Sequence, residues 1–205
     1  MIELAQGNNV GGLELRAAPD EFLHVGIPSA ERRAIKSRLD DAGLIVLALS
    51  TYVHLCSPED QLLEEHLQLA ADVGAHAVRV FMRDEAGTTD SAAGGAPTKP
   101  TQGERRAVKR VAWLSGSTGV RVLMETHDSH SLGARMAAFC TLLDQEVADH
   151  GAGVIWDRCV MRALQDDGYE GWLSLEWERK WHPELPPLDE ALPATWTWIT
   201  REERS

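Results

Sequence analysis

A parallel α/β fold of the (β/α)-barrel type, incomplete, with about six of the usual eight strands, is the architecture this sequence predicts. Three observations carry it. First, one pattern recurs in six copies: a helix-like segment ends in Gly and an apolar strand begins within a residue or two, as in NNVGGLELR, DDAGLIVLALS, ADVGAHAVRVF, GSTGVRVLMET, ADHGAGVIWD and QDDGYEGWLSLEWE. Glycine suits that junction because helices commonly end on a left-handed residue, and helices alternating with strands build parallel βαβ units. Second, strands finish in acids, above all VRVLMETHDSH over residues 120–130, where a β-favouring run delivers Glu125, His127 and Asp128 just before a helix pattern. Parallel α/β proteins bind their ligands outside the carboxyl ends of such strands. Third, strands start near residues 12, 44, 77, 120, 152 and 170, and the last interval is short: 11 residues separate Asp157 from Tyr169, close to the minimum of about 10 to 12 for a parallel crossover.

Taken in order, residues 1–6 read as the tail of a helix whose preceding strand is absent, and GLELR is the first strand. Ser29 opens a helix that buries Ile35 and Leu39 and stops at Gly43. Ser57, Pro58 and Asp60 supply an N-cap serine, a proline at the first helical position and an acid at the third, like a capping box with Asp in place of Glu. Leu63, Leu67 and Ala70 then share one face. Residues 87–103 are rich in Gly, Ala, Thr and Pro without periodicity, so they read as a flexible loop on the rim where Glu125 emerges. Beyond Ser131, Leu132, Met136, Phe139, Leu143 and Val147 keep the spacing of a helix packed on a sheet.

Composition narrows the function. With 43% hydrophobic and 25% charged residues, the 205 residues suit a single domain spanning 1–205. Thirty-two acidic against 20 basic residues give a net charge of −12, which repels a phosphate backbone and argues against a nucleic-acid partner. Three cysteines without CxxC spacing fit reduced thiols. No charged region followed by an apolar run opens the sequence, and no stretch of 18 apolar residues occurs, so a soluble, cytoplasmic protein without a membrane partner is expected.

The acids at the strand ends carry the chemistry. GLELR contains Glu14, VLMETHD contains Glu125 and Asp128, GVIWD ends in Asp157, and WLSLEWE contains Glu176 and Glu178. On one barrel rim these charges repel unless a cation compensates them. Alternation in LSLEWE lets Glu176 point inward, and Glu125, Asp157 and Glu176 supply hard oxygen donors suited to Mg²⁺ or Mn²⁺. His127, Glu14 and His54 are candidates for substrate contact, although an ion pair with Arg16 also accounts for Glu14. The tryptophans near the C-terminus pack in a core or stack on a sugar ring.

GLELR, AVRVF, VRVLMETHDS, GVIWD and DGYEGWLSLEWE, in that order, resemble the xylose isomerase-like TIM barrels, a group of sugar phosphate isomerases, epimerases and related endonuclease-type enzymes. The resemblance implies a (β/α)8 barrel holding a divalent metal, Mn²⁺ or Mg²⁺, between Glu, Asp, His and Glu. The first Glu matches Glu125, the Asp matches Asp157 and the last Glu matches Glu176, while the His has no counterpart, and Val160 stands where the family commonly has a substrate-binding His. The implied activity is isomerisation or epimerisation of a sugar or related hydroxy-carbonyl compound, with Glu125 and Glu176 as the pair that moves a proton through an enediolate. A non-catalytic, shortened barrel serving as a binding or assembly module is the alternative, since open sheet edges favour pairing into a homo-oligomer. Endonuclease chemistry stands third because the net charge opposes DNA.

Overall fold

Among the described residues, every strand of the sheet pairs only with its neighbours in sequence. The structure is a computed structural model describing residues 1–83, 100–125, 139, 141–142, 151–153 and 168–202. Its elements are α1 (Ile2–Gly7), β1 (Gly12–Arg16), α2 (Ser29–Asp41), β2 (Ile45–Leu55), a 3-10 turn (Pro58–Leu62), α3 (Leu63–Val73), β3 (Ala77–Met82), α4 (Gln102–Thr118), β4 (Arg121–Glu125), β5 (Gly151–Gly153) and α5 (Leu188–Glu202). The five strands are parallel and ordered β1-β2-β3-β4-β5. Two compact units are distinguished, 12–154 with the sheet and 1–11 together with 155–205.

Alternation gives the sheet two different faces. Val78, Val80 and Met82 of β3 and Val122 and Met124 of β4 are buried, and α3 and α4 pack against the strands with Leu63, Leu67, Ala70, Val108 and Val111 buried in turn. The intervening residues Arg79, Phe81, Leu123 and Glu125 are only half-buried, so a second, polar face is left partly open. Gly74 and Gly119 end α3 and α4 with φ of +74° and +70°, the left-handed conformation that lets each helix turn directly into the next strand.

The first five strands begin at residues 12, 45, 77, 121 and 151, within a residue of where the apolar runs place them. The sixth expected strand does not form: no ladder covers 172–178. The hydrogen bonds there are local instead. The Trp177 indole donates to the Pro186 carbonyl at 3.0 Å, Arg179 donates to the Leu185 carbonyl at 3.0 Å, and Tyr169 donates to the Trp172 carbonyl at 3.1 Å. Side chains that satisfy nearby carbonyls compete with strand pairing, and Pro183, Pro186 and Pro187 restrict the following turn.

Two boundary expectations also change. Residues 58–62 form a 3-10 turn, and the buried Asp60 carboxylate, instead of capping it, binds Arg106 at 2.9 Å and Arg110 at 3.5 Å. The loop expected through Gly103 ends earlier, because Thr101 starts α4 with a full capping box: the Glu104 N–H donates to the Thr101 hydroxyl at 3.1 Å and the Thr101 N–H to the Glu104 carboxylate at 2.6 Å. Ile35 is half-buried in α2 whereas Leu39 is buried. In the helix expected beyond Ser131, Phe139 is helical and buried; its neighbours at 126–138, 140 and 143–150, like 84–99, lie outside the described residues. Among the described residues no helix is long and apolar enough to cross a membrane.

The start of α4 is seated on the end of β2. A Cβ at Gly103 would meet the Cys56 carbonyl oxygen at 2.5 Å, and Cys56 is fully buried with φ +66°. Alanine is the better helix former by about 1 kcal/mol, but here it forces two backbones apart. Gly103→Ala is therefore expected to destabilise the fold by about 1–3 kcal/mol, read from urea unfolding; an unchanged or higher midpoint would refute the close approach.

Candidate functional site

The polar face is organised by an irregularity in β2. Ser50 pairs with Arg79, but the next pair is His54 with Phe81, so residues 51–53 lie opposite the single residue Val80. Bulges of this kind re-aim side chains. Thr51 stitches it together: its hydroxyl donates to the Arg79 carbonyl at 2.8 Å and accepts from the Val53 N–H at 3.3 Å. Tyr52 is thereby pushed outward, 47% exposed.

Arg79 and Phe81 alternate on β3 and share the open face. The Arg79 guanidinium is held on three sides. It donates to the Thr51 carbonyl at 3.0 Å, lies 4.4 Å over the Phe81 ring and pairs through Nε with the Glu125 carboxylate at 3.1 Å. The two charged side chains are 15% and 21% exposed, so the pair is screened less than a surface pair. Phe81 also receives His54, ring centroids 5.6 Å apart and 26° from parallel, and Tyr52 at 6.1 Å. On β1, Arg16 lies 4.9 Å over the Tyr52 ring and pairs with Glu21 at 3.4 Å. The result is a strip in which the guanidinium groups of Arg16 and Arg79 flank the aromatic rings of β2 and β3, ending at the Glu125 carboxylate of β4.

Register shows where the residues singled out in the sequence stand. His54, Phe81 and Glu125 are at one level on β2, β3 and β4, about 5 Å between neighbouring strands. Glu14 pairs at the level of Ala48 and Ala77, four residues before Phe81, hence roughly 13 Å lower along the strands. Glu176 is exposed on the segment without a ladder and belongs to the other compact unit. His127 and Asp157 lie outside the described residues. The sequence reading passed over Arg79, although a charged residue inside the apolar run AVRVFM was the signal for it.

The donor set for a divalent ion is not assembled among the described residues: no group of three His, Cys, Asp or Glu side chains converges, and the one predicted ligand that ends a sheet strand, Glu125, has Arg79 against its carboxylate.

Comparison with known proteins adds the family. A sequence search among curated proteins finds no match. Among solved structures, an E. coli 3-keto-D-glucoside 4-epimerase in its apo form superposes with a TM-score of 0.53 at 12% identity, over 98% of this chain and 92% of that one. A D-psicose 3-epimerase crystallised in the presence of D-fructose gives 0.53 at 16% identity over 80% of this chain, and a xylose isomerase domain protein from Planctomyces limnophilus gives 0.52 at 16% over 80%. The chain spans 59% and 62% of those two proteins. At such identities the likeness concerns the fold. Residues 2–159, most of the sequence and all five strands with it, match the profile of that same fold, and the chain belongs to the xylose isomerase-like TIM barrel family.

Proposed function

We propose that the chain isomerises or epimerises a sugar or related hydroxy-carbonyl compound by proton transfer through an enediolate. The observation that carries this reading is Glu125, the last residue of β4, held on the open sheet face by Arg79 and level with His54 and Phe81. A carboxylate fixed there is oriented to take a proton from the carbon beside a carbonyl. The Arg79 guanidinium keeps that carboxylate in place, and the Phe81 ring with stacked His54 offers an apolar surface to the C–H face of a sugar. Glu176 is the partner that returns the proton, and His127 and Glu14 are further substrate contacts, on the family resemblance. That resemblance also assigns Mn²⁺ or Mg²⁺ to Glu125, Asp157 and Glu176; such an ion polarises a carbonyl oxygen when bound, and the steps above use only the chain's own groups. The substrate is a small molecule met in the cytoplasm.

A second reading has its own support. Glu176 is exposed and 172–178 form no ladder, which suits a shortened barrel that binds or assembles without turning over a substrate.

Solvent-deuterium wash-in by NMR, across a panel of aldoses and ketoses, separates the two. Incorporation at the carbon beside the carbonyl supports the catalytic reading; its absence from a cooperatively folded chain, with dimers or larger assemblies in ultracentrifugation, supports the module. Glu125→Gln should lower wash-in by about 10²–10⁴-fold, the usual share of a positioned base. Wash-in that survives at the wild-type rate would remove Glu125 from the chemistry.

A further inference from the structure

Arg79 is the one charged residue of β3: its neighbours there are Ala77, Val78, Val80, Phe81 and Met82, and the face it occupies is half-open. Yet its guanidinium is fixed by the Thr51 carbonyl and the Phe81 ring and aimed at Glu125. The Thr51 hydroxyl in turn binds the Arg79 carbonyl, so backbone and side chain of the arginine are both tied to the β2 bulge. A planar guanidinium held this way gives up little further rotamer freedom in staying. A divalent cation approaching the same carboxylate meets a fixed positive charge 3.1 Å from the Oε2 atom, and the repulsion is strong where screening is weak.

We infer that Arg79 is the resident counter-cation of this site and withholds Glu125 from divalent metal. The inference rests on reading Glu125 as the reacting carboxylate, and it departs from the ligand set that the family resemblance implies. Arg79 acts through Glu125, as a positioning residue.

The test is calorimetric titration of the full chain with Mn²⁺, alongside near-ultraviolet circular dichroism to confirm folding. In the wild type, Glu125→Gln is expected to leave Mn²⁺ binding unchanged, because the carboxylate is already taken. Arg79→Gln, which keeps a donor for the Thr51 carbonyl but no charge, is expected to bind one Mn²⁺ about 10–100-fold more tightly than the wild type, the scale on which groups around a metal site act. Adding Glu125→Gln to it should cancel the gain, and Arg79→Lys, which restores a cation, should return the affinity to the wild-type value. Loss of wild-type Mn²⁺ binding on Glu125→Gln would overturn the inference without needing an Arg79 variant to fold. Equal affinity in wild type and Arg79→Gln, or binding in neither, would overturn it as well. The isomerase reading fails separately, in the wash-in assay, where no metal titration is involved.

Discussion

Two extra residues in β2 are the constraint on which the open sheet face depends. Between the Ser50–Arg79 and His54–Phe81 pairs, β2 advances four residues while β3 advances two. An even surplus preserves the facing of side chains, whereas a surplus of one would turn His54 over to the helix-covered side. The Thr51 hydroxyl, bonded to one backbone group on each strand, keeps the surplus in place. The Thr51 carbonyl released from the ladder is then free to receive Arg79, and Arg79 in turn fixes Glu125.

Arginine recurs at other carboxylates that this acidic chain encloses. Arg106 and Arg110 reach Asp60, whose side chain is 3% exposed, and Arg32 joins Asp72 at 2.9 Å, tying α2 to α3. Each of these guanidinium groups belongs to a different helix or strand from the acid it meets. The planar fork can satisfy a carboxylate and a neighbouring carbonyl together, as Arg32 does with Asp72 and the Ile27 carbonyl, which lysine's single ammonium does less well. In a chain of net charge −12, the scarce positive groups are thus placed at junctions between elements.

Periodicity made the first five strands legible, because alternating apolar residues and a preceding glycine leave little freedom in where a strand starts. The same signal misled at WLSLEWE: alternation describes a segment fit to be a strand, but a ladder also needs a neighbour, and that is a property of the rest of the chain. Ser57 to Asp60 shows the converse failure. Its residues fit a cap, and Asp60 was claimed by arginines 46 and 50 positions away in sequence. At the site, Glu125 was legible because it ends an apolar run, whereas Arg79 stood out only as a charge inside AVRVFM, and its partner was named by register, since that partner lies on the next strand. The bulge at 51–53 leaves no mark in an apolar stretch such as IVLALSTYVHL.

The sheet order has an evolutionary and kinetic side. When each ladder among the described residues joins consecutive strands, each new strand as it is synthesised finds its partner already in place. Such a sheet grows by accretion. It follows that units after β4 can be shortened, lost or replaced while the ladders β1 to β4, with the Thr51 bulge and the Arg79–Glu125 pair inside them, are left untouched: the architecture places its most interdependent contacts among the strands least exposed to rearrangement downstream.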